Sequence, residues 1–180
     1  YWTLSQAIWN AADSSARILN LSLSGSAPSE LLEQSVQYAF DQGKILVTSA
    51  GNEGSVEPTY PAAYPQAIGV AGMSPRGDTV ASYSNYGEWV DVAFVGRGLI
   101  PGDEQRMISV GTSAAAARLS ATLALALAQS PELTPAEVFQ GLADAAQPVA
   151  GANGQPGTRL GAVDGATLLQ TLGSRARKRD

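Results

Sequence analysis

The chain has 180 residues and a formal net charge of −5, with 44% of its residues hydrophobic and 15% charged. That is enough apolar content for one real core, and the acidic balance argues against a general nucleic-acid function. It contains no cysteine and no histidine, which excludes disulfides, thiolate nucleophiles and cysteine-based zinc sites within these residues, and no apolar run approaches the roughly 20 residues of a membrane span.

Tyr1-Trp2-Thr3-Leu4 opens inside an amphipathic helical pattern, with Leu4, Ile8 and Ala11-Ala12 at helical spacing and Trp9 alongside. A natural chain seldom begins in mid-helix, and these residues have no signal-peptide pattern, so the expectation is a fragment or a processed chain. Ala16 to Leu23 reads as a buried strand. Pro28-Ser29 opens a second helix, predicted to bury Leu32, Val36, Ala39 and Phe40 and to stop at Gly43. Lys44 to Ala50 is another strand, followed by the glycine-flanked turn Gly51-Asn52-Glu53-Gly54. Strand, helix and strand in this order form a βαβ unit and imply a parallel sheet.

After Ala71 the pattern shortens. Residues 67–72, 79–84 and 89–94 read as brief strands separated by Pro, Gly and Asp. Ile108 to Gln129 then carries an apolar strand into Gly111-Thr112-Ser113 and on into a long alanine-rich helix. Thr134-Pro135-Ala136-Glu137 is a capping box with Pro at N1, opening a helix to about Ala146. Residues 151–161 read as a loop and 162–173 as a short closing helix. The basic Ser174-Arg175-Ala176-Arg177-Lys178-Arg179-Asp180 end reads as a solvated tail. The division expected is one α/β domain over 1–172 with a tail over 173–180.

Ligands of parallel sheets bind beyond the carboxyl ends of the strands. Three unusual segments would meet there: Leu21 to Gly25, Ser49 to Gly54, and Gly111-Thr112-Ser113. A serine at a helix N-terminus has its own N–H and the helix dipole directed at a reacting carbonyl oxygen. An asparagine on a glycine-flanked turn can supply a second donor. An extended segment near Ser22 can pair with a substrate backbone. Each piece has a plainer reading, since Ser is also a preferred N-cap and such a turn is often only a turn.

In combination these segments resemble the C-terminal two-thirds of a subtilisin-like serine protease domain. The resemblance covers about Tyr1 to Leu172. It rests on Ile18 to Gly25, on Gly43 to Gly54, on Tyr60 to Gly72 followed by Ala81 to Gly96, and on Gly111 to Ala117 opening a long helix. It implies a three-layer α/β fold whose mostly parallel central sheet is incomplete on the N-terminal side, leaving the first strand with an open edge. It implies Ser113 as nucleophile and Asn52 as the oxyanion-hole side chain. Ser22, Leu23 and Ser24 would pair with substrate, Ser49, Ala50 and Gly51 would line the specificity pocket, and Tyr1 would stand at the rim of a more distant subsite. The substrate would be a polypeptide and the location secreted or the cell envelope. No cofactor is required, although structural calcium is known in the family, and the Tyr60 to Pro65 loop resembles a weak cation site. No set of metal ligands emerges from the residues themselves. Glu53, Glu57, Asp78, Asp91 and Asp103 read as solvated loop carboxylates, with Glu57 near the expected pocket floor.

In this family the chain order is Asp, His, Ser. The first two members would come from a segment upstream of Tyr1 or from a partner subunit, and these 180 residues alone would be inactive. Several positions depart from the pattern. Ala114-Ala115-Ala116-Ala117-Arg118 stands where Met-Ala-Ala/Ser-Pro-His is usual, Ser24 replaces a Gly, and Phe94-Val95-Gly96 replaces Ala-Pro-Gly. The competing readings are a pseudoprotease or peptide-binding assembly module, and a sedolisin-like Ser-Glu-Asp protease, in which an Asp rather than Asn52 would serve the oxyanion hole.

Overall fold

The opening helix, α1 (Trp2–Ala12), buries Ile8 and Ala12 as its spacing predicts, while Leu4 and Ala11 are half-buried and Ser5 turns inward instead. The structure, a computed structural model, describes residues 1–100, 107–151 and 154–176. Asp103, Ala152, Asn153 and the last four residues of the basic tail lie outside them. Strand β1 (Ile18–Leu21) is shorter than its apolar run. Helix α2 (Glu30–Asp41) starts where the Ser29 hydroxyl accepts the N–H of Leu32. It ends before Gly43, whose φ of 74° lets the chain turn back into β2 (Ile45–Ser49). Strands β3 (Ala67–Gly72) and β4 (Val92–Phe94) follow, then a hairpin of β5 (Arg97–Ile100) and β6 (Met107–Val110). Helix α3 (Thr112–Gln129), α4 (Pro135–Ala145), the two-residue β7 (Gly161–Ala162) and α5 (Gly165–Ala176) complete the order.

The sheet runs β1-β2-β3-β4-β7 with every pairing parallel, and β5-β6 forms a separate antiparallel pair. Alternation divides the strand residues between two layers. Ile45, Val47, Ile68, Val70, Val92 and Phe94 face α3, α4 and α5. Leu19, Leu46 and Ala67 face α1 and α2. Helix α3 crosses β1 to β4, and its Ala115, Ala116, Leu119 and Leu123 are fully buried. The small side chains of the first turn bring the helix close to the sheet. The two leucines contribute about 1.5–3 kcal/mol each by burial. Strand β1 is the edge of this sheet, with no strand on its outer side among the described residues. No helix among those residues is long and apolar enough to cross a membrane.

Four local expectations are corrected. Residues 79–84 are not a strand. Their N–H groups go to isolated partners, Val80 to the Ala150 carbonyl and Ala81 to that of Gly72, so the segment wraps over the sheet instead of joining it. Phe40 is half-buried, and Ser35 takes the inward position, its hydroxyl donating to the Leu32 carbonyl at 2.7 Å. The stretch read as a loop and closing helix holds β7, which pairs with Val92 and Ala93, bridges to Gln147 on its other side and is too short to carry a period. Arg175, read as part of a solvated tail, lies in α5 and pairs with Asp144 of α4.

Candidate active site

Parallel strands place their carboxyl ends on one side, and there the chain leaves β1 at Ser22, leaves β2 at Ala50, and enters α3 through Gly111. Gly111 has a φ of 149° and donates to the Gly96 carbonyl at 2.9 Å. A Cβ at this position would only touch the Asn52 Oδ1, at 3.4 Å, so it is the backbone conformation and not the space that calls for glycine.

The contact between the turns is polar. Asn52 Oδ1 accepts the backbone N–H of Thr112 at 2.9 Å and the Thr112 hydroxyl at 3.1 Å. The same hydroxyl accepts the Gly51 N–H at 3.2 Å. Thr112 is fully buried and Asn52 is exposed, so the network runs from the interior to the surface. With Oδ1 occupied, the amide of Asn52 presents Nδ2 as its donor. Thr112 does not cap its own helix. Its side chain makes no such bond, and the Asn52 side chain receives the first N–H of α3 instead.

Ser113, half-buried at the second position of α3, donates its hydroxyl to the Ser22 carbonyl at 3.4 Å and not to its own helix. The Ser22 hydroxyl donates in return to the Ser113 carbonyl at 3.2 Å and accepts from Asn20 Nδ2 at 2.9 Å. Asn20 also accepts the Ser120 hydroxyl at 3.0 Å, which ties β1 to α3 a second time. The mouth of α3 is thus tied to Asn52 through Thr112 and to Ser22 through Ser113.

Ser22, Leu23 and Ser24 continue β1 as an exposed stretch without ladder partners. Ser49 donates to the Leu23 carbonyl at 3.4 Å and fixes one edge of that stretch to β2. Ser49, Ala50 and Gly51 are buried behind it. Gly51 has a φ of 101°, and a Cβ there would strike the Asn85 amide and the Glu53 carboxylate. Tyr1 stands apart from this group. Its hydroxyl donates to the Ala27 carbonyl at 2.6 Å, beside the Gly25–Tyr60 bridge.

Of the carboxylates read as solvated, Glu57 and Asp78 are exposed, and the Ser74 hydroxyl lowers the Asp78 carboxyl below its ordinary range. Asp91 is the correction. It is 5% exposed, accepts the Gly69 N–H at 2.8 Å and pairs with Arg159. Burial pushes its carboxyl up, and the Arg159 guanidinium and the Gly69 N–H oppose that shift. Val90 and Val92 on either side are the overlooked signal, because an acid between buried β-branched residues needs a partner. Among the described residues no three His, Cys, Asp or Glu side chains gather as metal ligands. The carbonyls of Thr59, Tyr60, Pro61 and Tyr64 already accept backbone N–H groups, so a cation at that loop would have to share them.

Sequence reasoning passed over Asn85. It is 1% exposed and spends its side chain on the turn that carries Asn52. Its partners lie some 30 residues earlier in the chain, beyond any local pattern.

The model of the Subtilase family matches residues 1–170. Thermitase of Thermoactinomyces vulgaris is 43% identical over 96 residues, covering 53% of this chain and 34% of that protein. The thermophilic serine proteinase of Bacillus sp. (strain AK1) is 40% identical over 129 residues, covering 70% and 32%. Halolysin of Haloferax mediterranei is 37% identical over 172 residues, covering 93% and 32%. The chain thus spans about a third of the length of these relatives. Among solved structures, the prenylagaramide maturation protease PagA matches with a TM-score of 0.84 over 95% of this chain and 67% of that one, at 24% identity. The protease domain of PatA matches at 0.80 over 96% and 65%, also at 24% identity. At that identity the likeness is one of fold.

Proposed function

The chain belongs to the subtilase family, and from that premise we propose that it is the nucleophile-bearing portion of a serine endopeptidase of subtilisin type. Ser113 Oγ attacks the carbonyl carbon of the scissile peptide bond. Its proton passes to a base that these 180 residues, without histidine, do not supply. In the family's order of Asp, His and Ser that base is a histidine carried upstream of Tyr1 or by a partner. The negative oxygen that develops receives hydrogen bonds from Asn52 Nδ2 and from the N–H of Ser113, at the positive end of α3. The C–N bond then breaks, the base returns its proton to the leaving amine, and water hydrolyses the acyl-enzyme on Ser113. The substrate backbone pairs along Ser22 to Ser24, and its side chain enters the pocket lined by Ser49, Ala50 and Gly51. Tyr1 contacts a residue further along the substrate. The reaction needs no cofactor, and the family relationship supports a secreted or cell-envelope location.

The single observation that carries this reading is the Asn52 amide, fixed through Oδ1 by the N–H and hydroxyl of Thr112, one residue before Ser113. A donor held in place before the charge develops costs no reorganisation during the reaction, which is what an oxyanion hole requires. In the complete protein, Asn52→Ala should lower kcat by about 10²–10³, the magnitude known for the oxyanion asparagine of subtilisin itself, and leave KM nearly unchanged. A loss confined to KM would reduce Asn52 to a turn residue.

The second reading is a pseudoprotease that uses the same cleft to hold a peptide. The departures after Ser113 favour it. Arg118 reaches out to the Arg97 carbonyl at 3.1 Å where the family usually has a histidine. Peptide binding without cleavage by the complete protein would establish that reading.

A further inference from the structure

We propose that Asn85 is a positioning residue for the oxyanion donor, an inference that rests on the endopeptidase reading and extends it. The turn that carries Asn52 has little regular backbone bonding to fix it. Gly51 and Gly54, on either side of Asn52-Glu53, have φ values of 101° and 64°, which no ladder or helix accommodates. A turn of this kind is held by side chains or by water.

Asn85 makes more of these bonds than any other side chain. Its Oδ1 accepts the N–H of Glu53 at 3.1 Å and that of Ser55 at 3.0 Å. Its Nδ2 donates to the Ala50 carbonyl at 2.9 Å and to Glu53 Oε2 at 2.8 Å. Its own N–H donates to the Gly51 carbonyl at 3.0 Å. Both ends of the amide are therefore used, and every partner lies within three residues of Asn52. None belongs to the segment on which Asn85 stands. With 1% of its surface exposed, the side chain gains nothing from water and would be costly if any of these bonds were missing.

The geometry fixes Asn52 from two sides. Thr112 sets the direction of the amide through Oδ1, and Asn85 sets the position of the backbone from which that amide extends. A neighbouring contact strengthens the support, because the Gly54 N–H donates to the Tyr83 carbonyl at 2.9 Å. Residues 83–85 thus act as a plate behind the turn. A displacement of about 1 Å at a catalytic group costs on the order of 10²-fold in rate, so the turn needs a rigid support more than its exposed position in the chain suggests.

The test is a mutant cycle in the complete protein, with peptide hydrolysis, KM and thermal unfolding measured for each form. Asn85→Ala removes all four side-chain bonds. Asn85→Asp keeps the two acceptor bonds, loses both donors and sets a second carboxylate against Glu53. Each should lower kcat by about 10- to 100-fold with KM changed by less than about threefold. Combined with Asn52→Ala, neither should lower kcat by more than about twofold further, because the donor it positions is already gone. Full additivity of the losses in the Asn52→Ala background would overturn the proposal, as would loss of folding in both Asn85 variants, which would make the residue a general support of the fold. A complete wild-type protein that neither hydrolyses peptide nor labels at Ser113 would overturn the endopeptidase reading and this inference with it. An active wild type with additive losses would overturn the inference alone.

Discussion

Replacing Thr112 by valine would test the anchoring of Asn52 without touching Asn52 or Ser113. The substitution keeps the shape of a fully buried side chain and removes one hydroxyl. Two hydrogen bonds disappear, one to Asn52 Oδ1 at 3.1 Å and one from the Gly51 N–H at 3.2 Å. At about 1 kcal/mol each, with a further desolvation cost for the orphaned Gly51 N–H, the loss of stability is about 2–4 kcal/mol. For a chain of this size that lowers Tm by roughly 5–15 °C. The Asn52 amide keeps its bond from the Thr112 N–H at 2.9 Å, so its pose is weakened and not abolished. One anchor worth about 1 kcal/mol corresponds to a fall in kcat of about five- to tenfold, with KM unchanged. Thermal unfolding and steady-state hydrolysis by the complete protein measure both quantities. Thr112→Ser, which retains the hydroxyl, should stay near the wild type in kcat. A valine variant with full kcat, or a serine variant as impaired as the valine one, would refute the claim that this hydroxyl orients the oxyanion donor.

Arg159→Ala should destabilise the fold by about 2–4 kcal/mol, below the range for a fully buried pair because the Arg159 side chain is 48% exposed. It should also make stability fall as pH rises. Burial already holds the Asp91 carboxyl above its ordinary value, and the lost guanidinium opposed that shift. The folded pKa then lies above the unfolded one, so stability is greatest below the unfolded value and declines as pH climbs through the folded value. Thermal unfolding between pH 4 and 7 reads this, and a variant that loses stability on acidification would contradict it. The open edge of β1 should make the 180-residue chain self-associate in sedimentation, because unpaired N–H and C=O groups over Ile18–Leu21 can pair with another copy. A cooperative, monodisperse monomer would contradict this.

The sequence was most legible where one physical cause acts locally. Ile45-Leu46-Val47 is an apolar run in a strand buried on both faces, and the capping box at Thr134 and Glu137 forms as its residue types require. The segment misread at 79–84 carries β-branched and aromatic residues that suit a strand, yet residue type does not say whether a neighbour is available to pair. Strand β7 exists because Gly161 and Ala162 pass beside β4, and two residues leave no pattern. Within the candidate site, Ser113 and Asn52 were singled out by their combination and by the family resemblance, since a serine at a helix mouth and a glycine-flanked asparagine are each common alone. Asn85 was not, because its partners are main-chain groups of a distant turn. Asp91 was misjudged because its solvation depends on Arg159, 68 residues away.

The central claim is that Ser113 is an activated nucleophile, and reaction with a serine-directed phosphonyl fluoride tests it most directly. Displacement of fluoride by Ser113 Oγ needs a base to take the proton, so ordinary serines react little. Mass spectrometry of the digested product should find the adduct on Ser113 alone in the complete, folded protein. The 180-residue chain by itself, with no histidine, should label only weakly. A complete and correctly folded protein with no adduct at Ser113 would contradict the account and leave the peptide-binding reading in its place.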